Sequence, residues 1–104
     1  MKAITYSSDV DDFIKSLDLS TSAKVVRAVE LLKLYGHLLS MPHSKKIAPG
    51  IFELRTRGQQ EARIFYCFHK GNAILLHGFI KKSQKIPPGE LKLAISRFQT
   101  LTII

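Results

Sequence analysis

Arg55 and Arg63 lie in neighbouring runs of strand-like sequence, and alternation puts both on the same face. A guanidinium is a planar fork of donors that grips phosphate oxygens two at a time. Two of them converging on one phosphate would stabilise the extra negative charge of a pentacoordinate transition state. Lys81 and Lys82 follow at the end of a third such run, and a basic loop continues through Lys85. Lys45 and Lys46 stand upstream where they could ring the same pocket, and Arg57 shares the face of Arg55. The plainer reading is a set of surface cations with their stems laid along apolar neighbours. The face that carries Arg55, Arg63, His77 and Lys81 also carries Phe65, Cys67 and Phe79. Such a mixture favours a surface that holds an anion, a nucleic acid before others.

Other catalytic patterns are absent. There is no Gly-rich phosphate loop, no nucleophile elbow and no metal-ligand spacing, so neither cofactor nor metal is expected. His37, His43, His69 and His77 are not spaced four apart on a helix. Three of them read as surface or partly packed side chains. His77 lies between Leu75 and Phe79 on the cationic face, where an imidazole could touch a base or shuttle a proton. A satisfied, half-buried histidine is the alternative. The single Cys67 reads as a small buried hydrophobe rather than a nucleophile, and a lone mid-strand cysteine fits a reducing cytosol.

The elements that must position these residues are three consecutive strands: Ile51 to Arg57, Ala62 to His69 and Ala73 to Lys81. Phe52 and Leu54 share one face with Ile64, Tyr66 and Phe68, and with Ile74, Leu76, Gly78 and Ile80. Short connections at Gly58 to Glu61 and Lys70 to Asn72 predict an antiparallel sheet, with Gly71-Asn72 supplying positive φ. Ahead of it, Lys2 to Tyr6 suggests a strand. Val10, Phe13, Ile14 and Leu17 form one helical stripe, with Ser7 or Ser8 as its cap. A second helix spans Ser22 to Tyr35, capped by Ser20 or Thr21 and stopped at Gly36. This helical hairpin needs a sheet to cover its stripe, and the apolar sheet face is the expected partner. His37 to Gly50 reads as irregular. Pro88 opens a last helix with Leu91, Ala94, Ile95 and Phe98 on one side, and Leu101, Ile103 and Ile104 leave an apolar tail.

At 104 residues the chain is expected to form one domain, residues 1–104, with one core. Its charge is unevenly spread. Residues 1–42 carry five Lys/Arg and five Asp/Glu, whereas residues 43–104 carry eleven and three, the whole of the net +8. Charge concentrated in one half argues for a polyanionic partner over an acidic protein or mere solubility. No apolar run approaches the ~18 residues of a membrane span, and the N-terminus lacks the apolar region of a signal peptide. A cytoplasmic protein without membrane contact is expected.

Three stretches resemble the signature of the RelE/ParE toxin superfamily, most of all its phage-derived HigB-like branch in type II toxin–antitoxin systems. They are Gly50-Ile-Phe-Glu-Leu-Arg55, Ala62-Arg-Ile-Phe-Tyr66 and Leu76-His-Gly-Phe-Ile-Lys-Lys-Ser-Gln-Lys-Ile-Pro87. The last is the most specific. The resemblance implies an α+β fold: an antiparallel twisted sheet, an N-terminal helical hairpin on one face and a short C-terminal helix. It implies a metal-independent endoribonuclease toxin, an mRNA interferase acting on the translating ribosome. The 2′-hydroxyl of the RNA would attack the adjacent phosphate. Carried over by position, Arg55 and Arg63 would stabilise the phosphorane, with Lys81 and Lys82 as a second cationic group. The acid and base stay open among His77, Glu53, Lys82 and Tyr35. Lys45, Lys46, Arg57 and Lys85 would bind RNA. The expected partners are mRNA, the ribosome and a cognate antitoxin of helix-turn-helix type. A gyrase-inhibiting toxin of the ParE kind and a non-catalytic nucleic-acid-binding module are the alternatives, since one fold hosts several functions.

Overall fold

The computed structural model describes the backbone of residues 1–103 and the side chains of residues 1–101. In chain order the elements are β1 (Ala3–Thr5), α1 (Ser8–Ser16), α2 (Leu19–Tyr35), a 3-10 turn (Gly36–Leu38), β2 (Ser44–Ala48), β3 (Ile51–Arg55), β4 (Ala62–His69), β5 (Asn72–Ile80) and α3 (Pro88–Ile103). The strands form one sheet in the order β1-β5-β4-β3-β2. Three helices and a mostly antiparallel sheet make this the α+β fold expected from the sequence.

Four local expectations need correction. The sheet is not wholly antiparallel, because β1 lies parallel to β5, Ala3 beside Ala73 and Thr5 beside Leu75. Within the stretch read as irregular, Ser44–Ala48 forms β2 and pairs with β3. Its Ser-Lys-Lys start has poor strand propensity, so pairing with a formed neighbour decides its conformation. The positive φ angles of the β4–β5 hairpin belong to Lys70 (52°) and Gly71 (79°), not to Gly71 and Asn72. A two-residue loop of this kind needs both central residues left-handed, and Asn72 already pairs with His69. Finally, α2 starts at Leu19, and its cap is Asp18, whose Oδ1 accepts from the Thr21 N–H at 2.7 Å. That bond, made to the charged carboxylate, holds the Asp18 pKa below its usual range.

The helical hairpin covers one sheet face. Val10, Leu17, Val25, Ala28 and Leu32 pack there with Leu54, Ile64, Tyr66, Ala73 and Leu75. Strict alternation along β5 would have sent Ile74 and Leu76 to this side. A register shift intervenes: Phe65 opposes His77, but the next residue, Tyr66, opposes Leu75. Leu76 is the extra residue of a bulge, which turns the first half of β5 over relative to the second. Ile74 and Leu76 therefore face the opposite side, while Gly78 still faces α1. A Cβ on Gly78 would stand 2.3 Å from Cδ2 of Phe13, so only glycine lets α1 approach this closely.

The second face is not open. α3 lies across it and buries Ile51, Phe65, Cys67, Ile74, Leu76 and Phe79 beneath Ala94, Leu91, Ile95 and Phe98. Burying side chains of this size contributes about 1.5–3 kcal/mol each. α3 runs from Pro88 to Ile103, over four turns rather than a short helix. Leu101 of the expected apolar tail packs into the same cluster, while the Ile103 side chain and Ile104 lie outside the described residues. Arg97 fastens α3 in place. Its Nη1 donates to the Leu76 carbonyl at 2.8 Å and to Asp9 of α1 at 3.0 Å, and its guanidinium lies over the Tyr6 ring.

Candidate functional site: a cationic cleft at the end of the sheet

α3 covers only part of its face. β5 ends at Ile80, and of the Lys81–Pro87 loop that follows Ile86 returns to the α3 cluster. The side chains that alternation directs to this side beyond Phe79 are ionic. Arg55 pairs with Arg63 across β3 and β4. The ladder continues through an Lys81 N–H to Glu61 carbonyl bond of 2.8 Å, which sets Glu61 opposite Lys81. Directly opposed residues project to the same side. The result is a cleft of about 390 Å³ lined by Arg55, Arg57, Glu61, Arg63, Lys81, Lys82, Ser83 and Gln84. Five cations face one carboxylate.

Beneath the cleft floor lies Glu53, only 2% exposed. Its Oε1 is 3.5 Å from Arg55 Nε and 3.9 Å from Arg63 Nε. Arg63 is itself 3% exposed, and its Nη1 donates to the carbonyls of Thr56 at 2.7 Å and Ala62 at 3.0 Å. Arg63 is thus a fixed post in the cleft wall, with part of its donor fork already used. Arg55 is less enclosed, its side chain 13% exposed, and Arg57 and Lys82 stand in the open. A buried carboxylate between two guanidiniums costs desolvation that the pairing offsets. Its structural effect is to hold both arginine stems at a set spacing in the cleft wall, with Arg55 Nη1 further steadied by the Met41 sulfur at 3.3 Å.

Not every residue singled out in the sequence gathers here. Arg55, Arg57, Arg63, Lys81 and Lys82 do. Lys45 and Lys46 lie on β2 at the sheet edge, exposed and outside the cleft lining, and Lys85 lies further along the loop. His77 is partly buried on β5, its Nε2 paired with Glu90 of the first turn of α3 and its ring stacked on Phe79. Tyr35 ends α2, exposed, and is not among the lining residues. Glu61 went unremarked in the sequence, where it sits in a polar loop. Its one legible signal was its place two residues before Arg63, which gives it the same face. Cys67 is fully buried in the α3 cluster, and burial pushes its thiol up to about 11, leaving it without nucleophilic character.

A second hollow opens on the other side of Arg55 and Arg57. Lys24, Arg27, Ala28, Leu31, His43, Arg55, Thr56 and Arg57 line about 210 Å³ there. Among the described residues no group of three or more His, Cys, Asp or Glu stands where it could hold a metal ion. No helix among them is long and apolar enough to cross a membrane.

What such a cleft can do follows from its charges. It can hold a phosphodiester between arginines and lysines, with one carboxylate within reach of the same group. A search of curated proteins matches none to this chain. A family model does match, over residues 12–99, and that span takes in every residue of both hollows. The chain belongs to the phage-derived Gp49-like protein family.

Proposed function

We propose that the chain is the toxin of a type II toxin–antitoxin system and that it cuts mRNA in the cationic cleft without a metal. The Gp49-like family is toxin-like and occurs in toxin–antitoxin contexts, which supports the first half. One observation carries the second: Arg55, Arg57, Arg63, Lys81 and Lys82 converge from three segments on a hollow of a size to take a phosphodiester.

In this reading the phosphate seats between Arg55 and the lysines, with Arg63 behind. The RNA 2′-hydroxyl gives its proton to the Glu61 carboxylate and its oxygen attacks phosphorus. The arginines stabilise the phosphorane, the bond from phosphorus to the 5′-oxygen breaks, and the Lys82 ammonium protonates the leaving oxygen. The products are a 2′,3′-cyclic phosphate and a 5′-hydroxyl. Glu61 is preferred as base because it is the one carboxylate lining the cleft. Its side chain is 42% exposed, and its Oε2 is 3.5 Å from Arg63 Nη1. Glu53 lies beneath the floor between two arginines, and His77 is turned to Glu90, so neither is placed to take that proton. A small helix-turn-helix antitoxin would silence the toxin by covering the cleft.

The test is primer extension on cellular mRNA after induction of the chain. New codon-linked 5′ ends are expected with the native chain and not with Lys82→Ala or Arg55→Ala. Intact mRNA together with an induced DNA-damage response would overturn this reading in favour of a gyrase poison.

A further inference from the structure

The sequence divides into a neutral first half and a basic second half, yet folding does not respect that division. α2 delivers Lys24 and Arg27 to the back of β3, where with His43 they line the second hollow. The two hollows share Arg55 and Arg57, and the second is lined by no carboxylate. Lys24 is held there by a 3.0 Å bond from its Nζ to the Arg57 carbonyl. Arg27 is exposed, and among the described residues no carboxylate is paired with it. The cations therefore form one continuous path from Lys82, over the end of β3, to the outer face of α2.

We propose that this second hollow is a phosphate subsite, formed by Lys24, Arg27 and His43, that holds a neighbouring backbone phosphate of the same single-stranded RNA. The inference rests on the reading of the main cleft as an RNA site. Arg55 and Arg57 stand between the two subsites and touch both, so an RNA seated in the first hollow is led onto the second. Because only phosphates are gripped there, the subsite adds affinity for longer RNA without sequence preference. Each phosphate neutralised on a single strand adds about −0.7 to the slope of log affinity against log salt.

The test measures binding of the native chain to two RNAs: a dinucleotide that fills only the main cleft, and a decamer. The 2′-position at the cut site is blocked by methylation, so that binding is read apart from cleavage. The decamer is expected to bind more tightly than the dinucleotide and with a steeper salt slope. Arg27→Glu is expected to abolish that gain. Arg27→Ala is expected to flatten the decamer slope by about 0.7. A gain from length that persists in Arg27→Glu, with the slope unchanged, would overturn the subsite while leaving the main cleft standing. If neither RNA binds the native chain, the RNA reading itself fails and the subsite with it.

Discussion

Arg63 and Arg55 face the same cleft but differ in what they hold up. Arg63 neutralises Glu53 from a position 3% exposed and ties two carbonyls. Arg63→Ala would leave a buried carboxylate short of a partner, so a loss of about 3–5 kcal/mol in a urea titration is expected. Lost activity in that variant would report unfolding as well as chemistry, and Arg55, 3.5 Å from the same carboxylate, shares that ambiguity, which makes exposed Lys82 the cleaner probe. At Glu61 the expectation is chemical instead. Glu61→Gln keeps the shape and removes the proposed base, so under the proposed function the cleavage rate should fall by about 10²–10⁴ with the thermal midpoint held. A cleavage rate unchanged in Glu61→Gln would place the base elsewhere. Alternation along three short strands was enough to bring Arg55, Arg63 and Lys81 together. It could not show that Glu53 would be enclosed between the two arginines, because enclosure depends on what lies over the sheet.

At the scale of elements, the helical hairpin was legible from its apolar spacing, and β3 to β5 from their turns. Three things were not. β2 forms from a Ser-Lys-Lys start whose propensity opposes it. The bulge at Leu76 reverses the facing of Ile74 and Leu75, and no local pattern announces it. The coverage of the second sheet face by α3 is a tertiary event: Phe65, Cys67 and Phe79 on a face with cations are the residues α3 buries. Two outcomes follow from this layering. Gly78 admits Phe13 of α1 against the sheet, with 2.3 Å left for an absent Cβ. Gly78→Ala should therefore cost about 1–3 kcal/mol, read as a thermal midpoint lower by several degrees. Under α3, burial raises the Cys67 thiol to about 11. The folded chain keeps that proton in the window between the ordinary thiol value and 11, where the unfolded chain loses it. Stability contributed by this group is thus complete below the window and declines as pH rises through it. The drop in denaturant midpoint from pH 8 to pH 10.5 should be smaller in Cys67→Ala than in the native chain, whatever constant offset the lost volume adds.

At the scale of the molecule, one sheet serves two ends. Its middle is closed on both faces by helices, and its far end, where β3 ends and β5 runs into the basic loop, carries ionic side chains instead of core. The uneven charge of the sequence foreshadowed a cationic surface, but not its extent, because Lys24 and Arg27 of the neutral half fold back to join it. In the proposed function this end of the sheet breaks RNA by attack of the 2′-oxygen. End-group analysis of mRNA exposed to the purified chain on translating ribosomes tests it most directly. Fragments carrying 2′,3′-cyclic phosphate and 5′-hydroxyl ends are expected from the native chain and not from Lys82→Ala, a surface change that leaves the thermal midpoint alone. Uncut mRNA, or ends bearing 3′-hydroxyl and 5′-phosphate, would contradict it.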